Sequence, residues 1–176
     1  MNHPDRSHFH VKPVRGRCRH GGVTVIELIV VVAILAVLAT VAVPSFRTQM
    51  QRSRVEQATV QIQGTLQAAR MEAIRRNRSV SVCTNAATAR VQAYETSNPS
   101  VIIRDTTWSN AVTLGTAGLS STSGGWECAR FDSTGLAPLA ATSSSSRYWR
   151  LAAGSEVACL YLDAGGLSRI LRQTTC

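Results

Sequence analysis

Hydrophobic and polar residues divide the chain into stretches with three different patterns. Residues 23–43 are an almost unbroken apolar run, residues 44–78 carry apolar residues every three to four positions, and residues 79–176 form short alternating runs. These patterns are typical of a membrane-spanning helix, an amphipathic helix and β-strands, respectively. Their order predicts an α+β protein, in which a long N-terminal helix packs on an antiparallel β-sheet head.

One continuous helix is predicted from about Thr24 to Arg76. A proline inside a helix removes an amide donor and crowds the preceding turn, so we expect a kink near Pro44 and further softening at Gly64. Asn77 is the expected stop. The apolar stripe that should pack on the head consists of Val55, Ala58, Ile62, Leu66, Ala69 and Ala73.

The head is predicted from short runs that are separated by Gly, Ser, Thr and Asn. Composition predicts loops at 115–125 and 140–146 and a turn at 164–166. The candidate strands are residues 79–83, 89–94, 101–105, 127–132, 147–152, 157–163 and 168–171. The aromatic residues expected to supply much of the core are Trp108, Trp126, Phe131, Trp149 and Tyr161.

Charge changes the interpretation of the apolar run. Residues 1–22 contain five Lys or Arg residues against Asp5, and they hold all four histidines of the chain. A basic stretch before an apolar run keeps the N-terminus in the cytoplasm, so the rest of the chain should cross the inner membrane. The carboxylate of Glu27 lies inside the run, and acids inside a membrane helix are usually functional.

Three kinds of segment fit this arrangement. A secretory signal would be cleaved after Ala39 or Ala42, but its apolar core would exceed the usual length of about 7–15 residues. A plain transmembrane anchor explains the length but neither Glu27 nor the preceding Gly-Gly. The third kind is a leader that is cut before the apolar run.

The string from Gly22 to Glu27, Gly-Val-Thr-Val-Ile-Glu, resembles the processing site of type IV prepilins and type II secretion pseudopilins. The resemblance implies that prepilin peptidase removes residues 1–22 by cutting after Gly22, and that the new N-terminus at Val23 is methylated. Val23 stands where the family usually has Phe or Met. Pro44 matches the proline that kinks the helices of this family.

Cleavage would expose an α-amine at Val23, one helical turn before Glu27 on the same face. The resemblance implies that Glu27 neutralises such an amine on a neighbouring subunit during filament assembly. Leaving either charge unpaired in lipid is the costly state.

A second sequence string indicates which branch of this family the chain resembles. Residues 66–83 resemble the helix end and first strand of the FimT/GspH branch of minor pilins, where the matching residues are Ala69, Arg70, Glu72, Ala73, Arg76, Asn77 and Cys83. The branch implies a non-catalytic minor pilin or pseudopilin with a single inner-membrane helix (23–43), an amphipathic periplasmic helix (44–78) and a periplasmic head (79–176). Its partners would be other subunits and prepilin peptidase, in a type IV pilus or a type II secretion pseudopilus.

Loss of the leader removes Cys18 and leaves Cys83, Cys128, Cys159 and Cys176. Four cysteines in an exported domain suggest two disulfides, which allow three pairings. Proximity in the sequence favours Cys83–Cys128 and Cys159–Cys176.

Composition argues against catalysis. The chain after Gly22 has no histidine and no lysine, which excludes a Ser-His-Asp triad, histidine metal ligands, a Walker lysine and a Schiff base. Its nine carboxylates are scattered along the sequence, and nothing implies a metal or cofactor.

Arginine suggests an alternative function. The chain after Gly22 carries 14 arginines against nine carboxylates, and arginine binds phosphate with two parallel hydrogen bonds. Some FimT-like pilins bind DNA during uptake through a C-terminal Gly-Arg-x-Arg motif. Here the corresponding residues are 166–169, with Leu167 in place of the first arginine. Arg169, Arg172, Arg147 and Arg150 are the candidate residues for binding double-stranded DNA.

Overall fold

The computed structural model describes residues 22–138, 147–173 and 175–176. The predicted leader, apart from Gly22, and the loop predicted at 140–146 lie outside these ranges. The chain divides into two units, residues 1–40 and 41–176.

The long helix is confirmed. Helix α1 spans Val25–Arg76, 52 residues, and continues through both Pro44 and Gly64. Thr24 caps its first turn, because the Thr24 Oγ1 accepts a hydrogen bond of 3.3 Å from the Glu27 N–H. A bend at Pro44 stays a prediction.

The helix ends where Asn77 turns into the left-handed region, with φ of 51°. The Arg78 N–H donates to the Ala73 carbonyl (3.1 Å) and the Asn77 N–H to the Ile74 carbonyl (3.2 Å). This is the Schellman arrangement, in which asparagine tolerates the conformation that glycine usually supplies.

Nine strands are found in the described residues, and they form two antiparallel sheets. In chain order they are β1 (Val80–Asn85), β2 (Arg90–Glu95), β3 (Asn98–Thr107), β4 (Thr113–Ala117), β5 (Ser120–Thr122), β6 (Trp126–Phe131), β7 (Arg147–Ala153), β8 (Glu156–Leu162) and β9 (Ser168–Leu171). The first sheet has the order β3-β2-β1-β6-β5 and the second the order β4-β7-β8-β9.

The prediction of a loop at 115–125 is wrong in part. Strand β4 pairs with β7, and β5 pairs with β6. Both are edge strands rich in Ser and Thr, so they show little of the hydrophobic alternation that marks a strand. Thr has a good propensity for β-structure, and pairing with a neighbour on one side is sufficient here.

The core lies between α1 and both sheets. Every residue of the predicted helical stripe is at most 4 % exposed and belongs to one cluster with residues of the first sheet, such as Phe131, and of the second, such as Trp149. The Trp149 Nε1–H donates to the Thr84 Oγ1 over 3.1 Å, which ties the two sheets together. Trp126 and Tyr161 are only half-buried, so the core contains fewer aromatic residues than predicted.

The core cluster extends from Val55 to Leu162, and both disulfides lie between Cys83 and Cys176. Residues 45–176, hereafter the head fragment, therefore contain the complete described core. They need no contact from the apolar segment to bury it.

Candidate assembly segment and head surfaces

The N-terminal segment presents apolar side chains without cover. Every described residue from 22 to 40 is exposed, and α1 is long and apolar enough to cross a membrane. Gly22, Val23 and Thr24 precede the helix, and no atom of the described residues lies within 4 Å of the position of a Cβ at Gly22.

Glu27 lies in the first turn of α1. A carboxylate there interacts favourably with the positive end of the helix dipole. Thr24 and Glu27 also have the Thr-x-x-Glu spacing of a helix start, a further signal in the sequence for the beginning of α1.

The structure joins Cys83 to Cys128 and Cys159 to Cys176, the pairs that proximity in the sequence favours. The first bond connects directly opposite residues of β1 and β6, with Cα atoms 4.0 Å apart. The second ties the C-terminal residue to β8, with Cα atoms 5.7 Å apart. Both bonds therefore stabilise the head.

The position of Arg147 contradicts its predicted role in binding DNA. Its side chain is 3 % exposed and donates to the carbonyls of Ala137, Pro138 (3.2 Å) and Asp163 (3.0 Å). Alternation along β7 puts Arg147 on the same covered face as Trp149. Burial lowers the pKa of the guanidinium, an effect that the nearby Asp163 opposes. Arg147 is a structural residue that holds the loops around it.

The other three arginines do not form one cluster. Arg172 lies 2.9 Å from the Glu56 carboxylate of α1. Arg150 and Arg169 lie on the outer face of the second sheet, where Arg169 is opposite Tyr161 and Tyr161 is opposite Tyr148. The rings of the two tyrosines are 5.7 Å apart. We refer to Tyr148, Arg150, Tyr161 and Arg169 as the outer-face cluster.

Several carboxylates of the head fragment pair with arginines. Glu72 accepts hydrogen bonds from Arg75 and Arg76, which lower its pKa to about 2. Arg78 lies 2.6 Å from Glu95 and lowers the pKa of that carboxyl. Arg90 donates to the Asp105 carboxylate and likewise lowers the pKa of that group.

These ion pairs engage the carboxylates of Glu72, Glu95 and Asp105. In the part of the chain that the structure describes, no group of three His, Cys, Asp or Glu residues is arranged to hold a metal.

Two turns of the head have the same sequence motif and the same hydrogen bonds. Residues 132–136 and 163–167 both read Asp-x-x-Gly-Leu. In each, the Asp Oδ1 accepts from the Leu N–H (3.0 and 2.8 Å), and the Asp N–H donates to the Leu carbonyl (2.9 and 3.1 Å). The repeated string is the signal in the sequence from which this pair of turns could be predicted. We call residues 132–136 and 163–167 the twin turns.

The twin turns pack on each other and on α1. A Cβ at Gly166 would collide with the Gly135 carbonyl oxygen, so only glycine permits this contact. The Arg70 Nε–H donates to the same oxygen over 3.1 Å. The end of β6 and the end of β8 are thus brought together beside the last turns of the helix.

Two family models match the chain. The profile described as "Type II transport protein GspH" matches residues 58–166, and the profile described as "Prokaryotic N-terminal methylation motif" matches residues 17–43. No curated protein matches the sequence.

Solved structures of two different proteins share the fold. The type IV minor pilin FimU of Pseudomonas aeruginosa is 16% identical, with a TM-score of 0.50 over 69% of this chain and 90% of that chain. The minor pseudopilin EpsH from the Type 2 Secretion System of Vibrio cholerae is 13% identical, with a TM-score of 0.51 over 68% of this chain and 97% of that chain. The predicted α+β fold of the pilin type is confirmed.

Proposed function

Because the chain belongs to the GspH family, we propose that it is a non-catalytic minor pilin or pseudopilin, processed by prepilin peptidase and assembled into a type IV pilus or a type II secretion pseudopilus. The observation that carries the proposal is the presence of both signatures in one chain. The methylation motif covers an exposed apolar helix segment, and the family match covers most of the head.

Processing is proposed to occur after Gly22, with methylation of Val23. The three residues before α1 are exposed and outside regular structure, which suits entry into a peptidase site. The basic leader (1–22) would stay in the cytoplasm, residues 23–43 would span the inner membrane, and residues 44–78 and 79–176 would lie in the periplasm. An oxidising periplasm agrees with the two disulfides of the head.

Glu27 is proposed to direct assembly. Its position in the first helical turn brings the carboxylate to the level where a cleaved neighbour would carry its Val23 amine. Both charges would lie at the edge of the hydrocarbon, where leaving either one unpaired is costly. Pairing between subunits removes that cost and aligns the helices.

Processing is tested by co-expressing the full chain with prepilin peptidase and measuring the mass of the product. We expect loss of residues 1–22 and the gain of one methyl group. Gly22→Leu should leave the chain uncut, whereas Gly21→Leu, its matched control, should be cut at the same bond. Cleavage after Ala39 or Ala42 would indicate a secretory signal instead, and an uncut wild-type chain a plain anchor.

Assembly is tested with Glu27→Gln in a host that makes the filament. The variant should be cleaved and remain in the membrane but be lost from sheared filaments. Glu56→Gln, which changes an exposed carboxylate outside the apolar segment, should enter filaments normally. Equal recovery of the two variants would overturn the role of Glu27.

A DNA receptor in uptake is a second candidate function, supported by the outer-face cluster. Two arginines on one face can bind the phosphates of duplex DNA, and the tyrosine hydroxyls beside them can donate to further phosphate oxygens. Arg147 is buried and Arg172 faces Glu56, so we assign this candidate to Arg150 and Arg169 alone.

Gel shift of the head fragment with double-stranded DNA tests this function. Binding should weaken with salt and be lost in the Arg150→Gln, Arg169→Gln double variant. Arg172→Gln is the matched control and should retain binding. Absence of a shift at low salt would leave the arginines as surface charge.

A further inference from the structure

A surface cavity of about 220 Å³ opens on the face of the first sheet that lies opposite to the core. On β2, Gln92 and Tyr94 alternate with Val91 and Ala93, which belong to the core cluster. Pockets for drug-sized ligands measure about 300–1,000 Å³, so this smaller cavity suits a single ring-sized group. We name it the first-sheet pocket, and the residues that define it are Cys83, Gln92, Tyr94, Ile102, Thr122 and Trp126.

The apolar surface of the first-sheet pocket is held in place. Tyr94 and Trp126 are half-buried, and Trp126 lies on β6, which is paired on both sides. The Tyr94 hydroxyl lies 3.0 Å from the Cys83 Sγ, and it is the donor because a sulfur in a disulfide carries no hydrogen. Two aromatic rings fixed in this way offer apolar contact at a low entropic cost on binding.

The polar groups of the pocket are made into acceptors by their own hydrogen bonds. The Tyr94 hydroxyl hydrogen is directed to sulfur, and the Thr122 hydroxyl donates to the Trp126 carbonyl over 3.4 Å. The Gln92 Nε2 donates to the Asp105 carboxylate over 3.0 Å, which identifies the other polar atom of the amide, Oε1, as the acceptor. A ligand that donates hydrogen bonds can therefore pair with these oxygen atoms.

The pocket is uncharged. Among the residues that the structure describes, no charged side chain lines it. The adjacent Asp105 is paired, because the Arg90 Nε–H donates to its carboxylate over 2.8 Å, and this bond lowers the pKa of Asp105. A charged ligand would lose hydration here without gaining a partner of opposite charge.

These features distinguish three kinds of ligand. A phosphate diester is charged and has no hydrogen-bond donor. A proline ring in an extended peptide is apolar but has no donor either, so both would leave the acceptors unpaired. A sugar ring has C–H groups on its face and hydroxyl donors around its edge, and it matches both the aromatic rings and the acceptors.

We propose that the first-sheet pocket binds one ring of a neutral oligosaccharide. The C–H face of the ring lies against Trp126 and Tyr94, and its hydroxyl groups donate to the oxygen atoms of Gln92, Tyr94 and Thr122. The site shares no residue with the outer-face cluster. Binding here requires neither processing of the chain nor assembly of a filament.

The test is an NMR titration of the isotopically labelled head fragment with cellotetraose, chitotetraose and maltotetraose. The three tryptophans give separate indole N–H signals, and Trp108 and Trp149, at most 7% exposed, serve as internal controls. At least one tetrasaccharide should shift the Trp126 signal and leave the other two in place, with a Kd in the millimolar range or tighter.

Trp126→Leu should weaken binding by about tenfold or more, because it removes the larger of the two rings. Tyr148→Leu, which changes a half-buried aromatic residue on the second sheet, is the matched control and should alter the Kd by less than about twofold. Tyr94→Phe and Thr122→Val each keep the shape of the side chain and remove one acceptor, so each should weaken binding by about threefold. These two variants carry the test if Trp126→Leu does not fold.

The proposal is overturned if no tetrasaccharide shifts the Trp126 signal, or if a proline decamer or a DNA duplex binds at Trp126 more tightly than every tetrasaccharide. It is also overturned if Trp126→Leu binds as tightly as Tyr148→Leu, or if both Tyr94→Phe and Thr122→Val bind like the wild type. Failure of the proposed function is measured separately, as cleavage after Gly22 and incorporation of the full chain.

Discussion

The two halves of α1 have the same secondary structure but opposite surroundings. In the first half every described side chain is exposed, including Ile34 at 56%. In the second half every third or fourth side chain is buried, and Ile62 is 0% exposed. The sheets of the head cover the second half, whereas the apolar side chains of the first half are uncovered by any described residue. Stability of the head and assembly of the filament should therefore respond to different substitutions.

The largest effect on the free energy of unfolding of the head is expected from the disulfide that closes the longer loop. Replacing Cys83 and Cys128 with alanine opens a loop of 45 residues, which the chain-entropy relation values at about 4 kcal/mol. Urea unfolding of the head fragment measures this loss. Removal of the bond between Cys159 and Cys176, separated by 17 residues, should cost about 3 kcal/mol. The reverse order would contradict the expectation.

Paired isoleucine substitutions compare the helix halves directly. Ile62→Ala leaves a cavity between α1 and the sheets and should lower the free energy of unfolding by about 3 kcal/mol. Ile34→Ala should leave the unfolding of the head unchanged, because its side chain is exposed and does not belong to the buried cluster. Both are measured on the full chain in detergent micelles by denaturant titration. A similar loss for both variants would show that the halves are energetically coupled.

Arg147→Met should destabilise the head fragment by about 2 kcal/mol, because it leaves the Ala137, Pro138 and Asp163 carbonyls without their donor. Arg150→Met on the outer face is the control and should change the free energy of unfolding by less than about 0.5 kcal/mol. Equal effects would mean that the burial of Arg147 contributes nothing to stability.

The smallest effect is expected at Glu72. Its pKa is lowered from 4.5 to about 2, so its ion pairs contribute stability above pH 4.5 and lose that contribution as the pH falls through 2. Because the arginines are partly exposed, Glu72→Gln should cost under about 1 kcal/mol at pH 7. Urea titrations at pH 7 and pH 2 should show the difference from wild type shrinking. A constant difference would refute the assignment.

The twin turns show that a motif can be visible in the sequence while its structural role is known only from the fold. In the sequence Leu167 stands out only as a departure from an arginine motif, and Leu136 does not stand out at all. Their strings are 31 positions apart. Only the fold shows that Gly166 packs on the Gly135 carbonyl and so brings the two turns together.

The sequence by itself determined the elements that depend on local geometry. The stripe from Val55 to Ala73 follows from the 3.6-residue period of a helix, and the stop at Asn77 from its tolerance of positive φ. The tertiary structure decided which side of a strand is covered: Arg147 is inside while Arg150, three residues later, is outside. It also decided that the Ser- and Thr-rich β4 and β5 are strands. Local periodicity is a property of the backbone, whereas burial depends on which distant segments pair, and the sequence does not display that pairing.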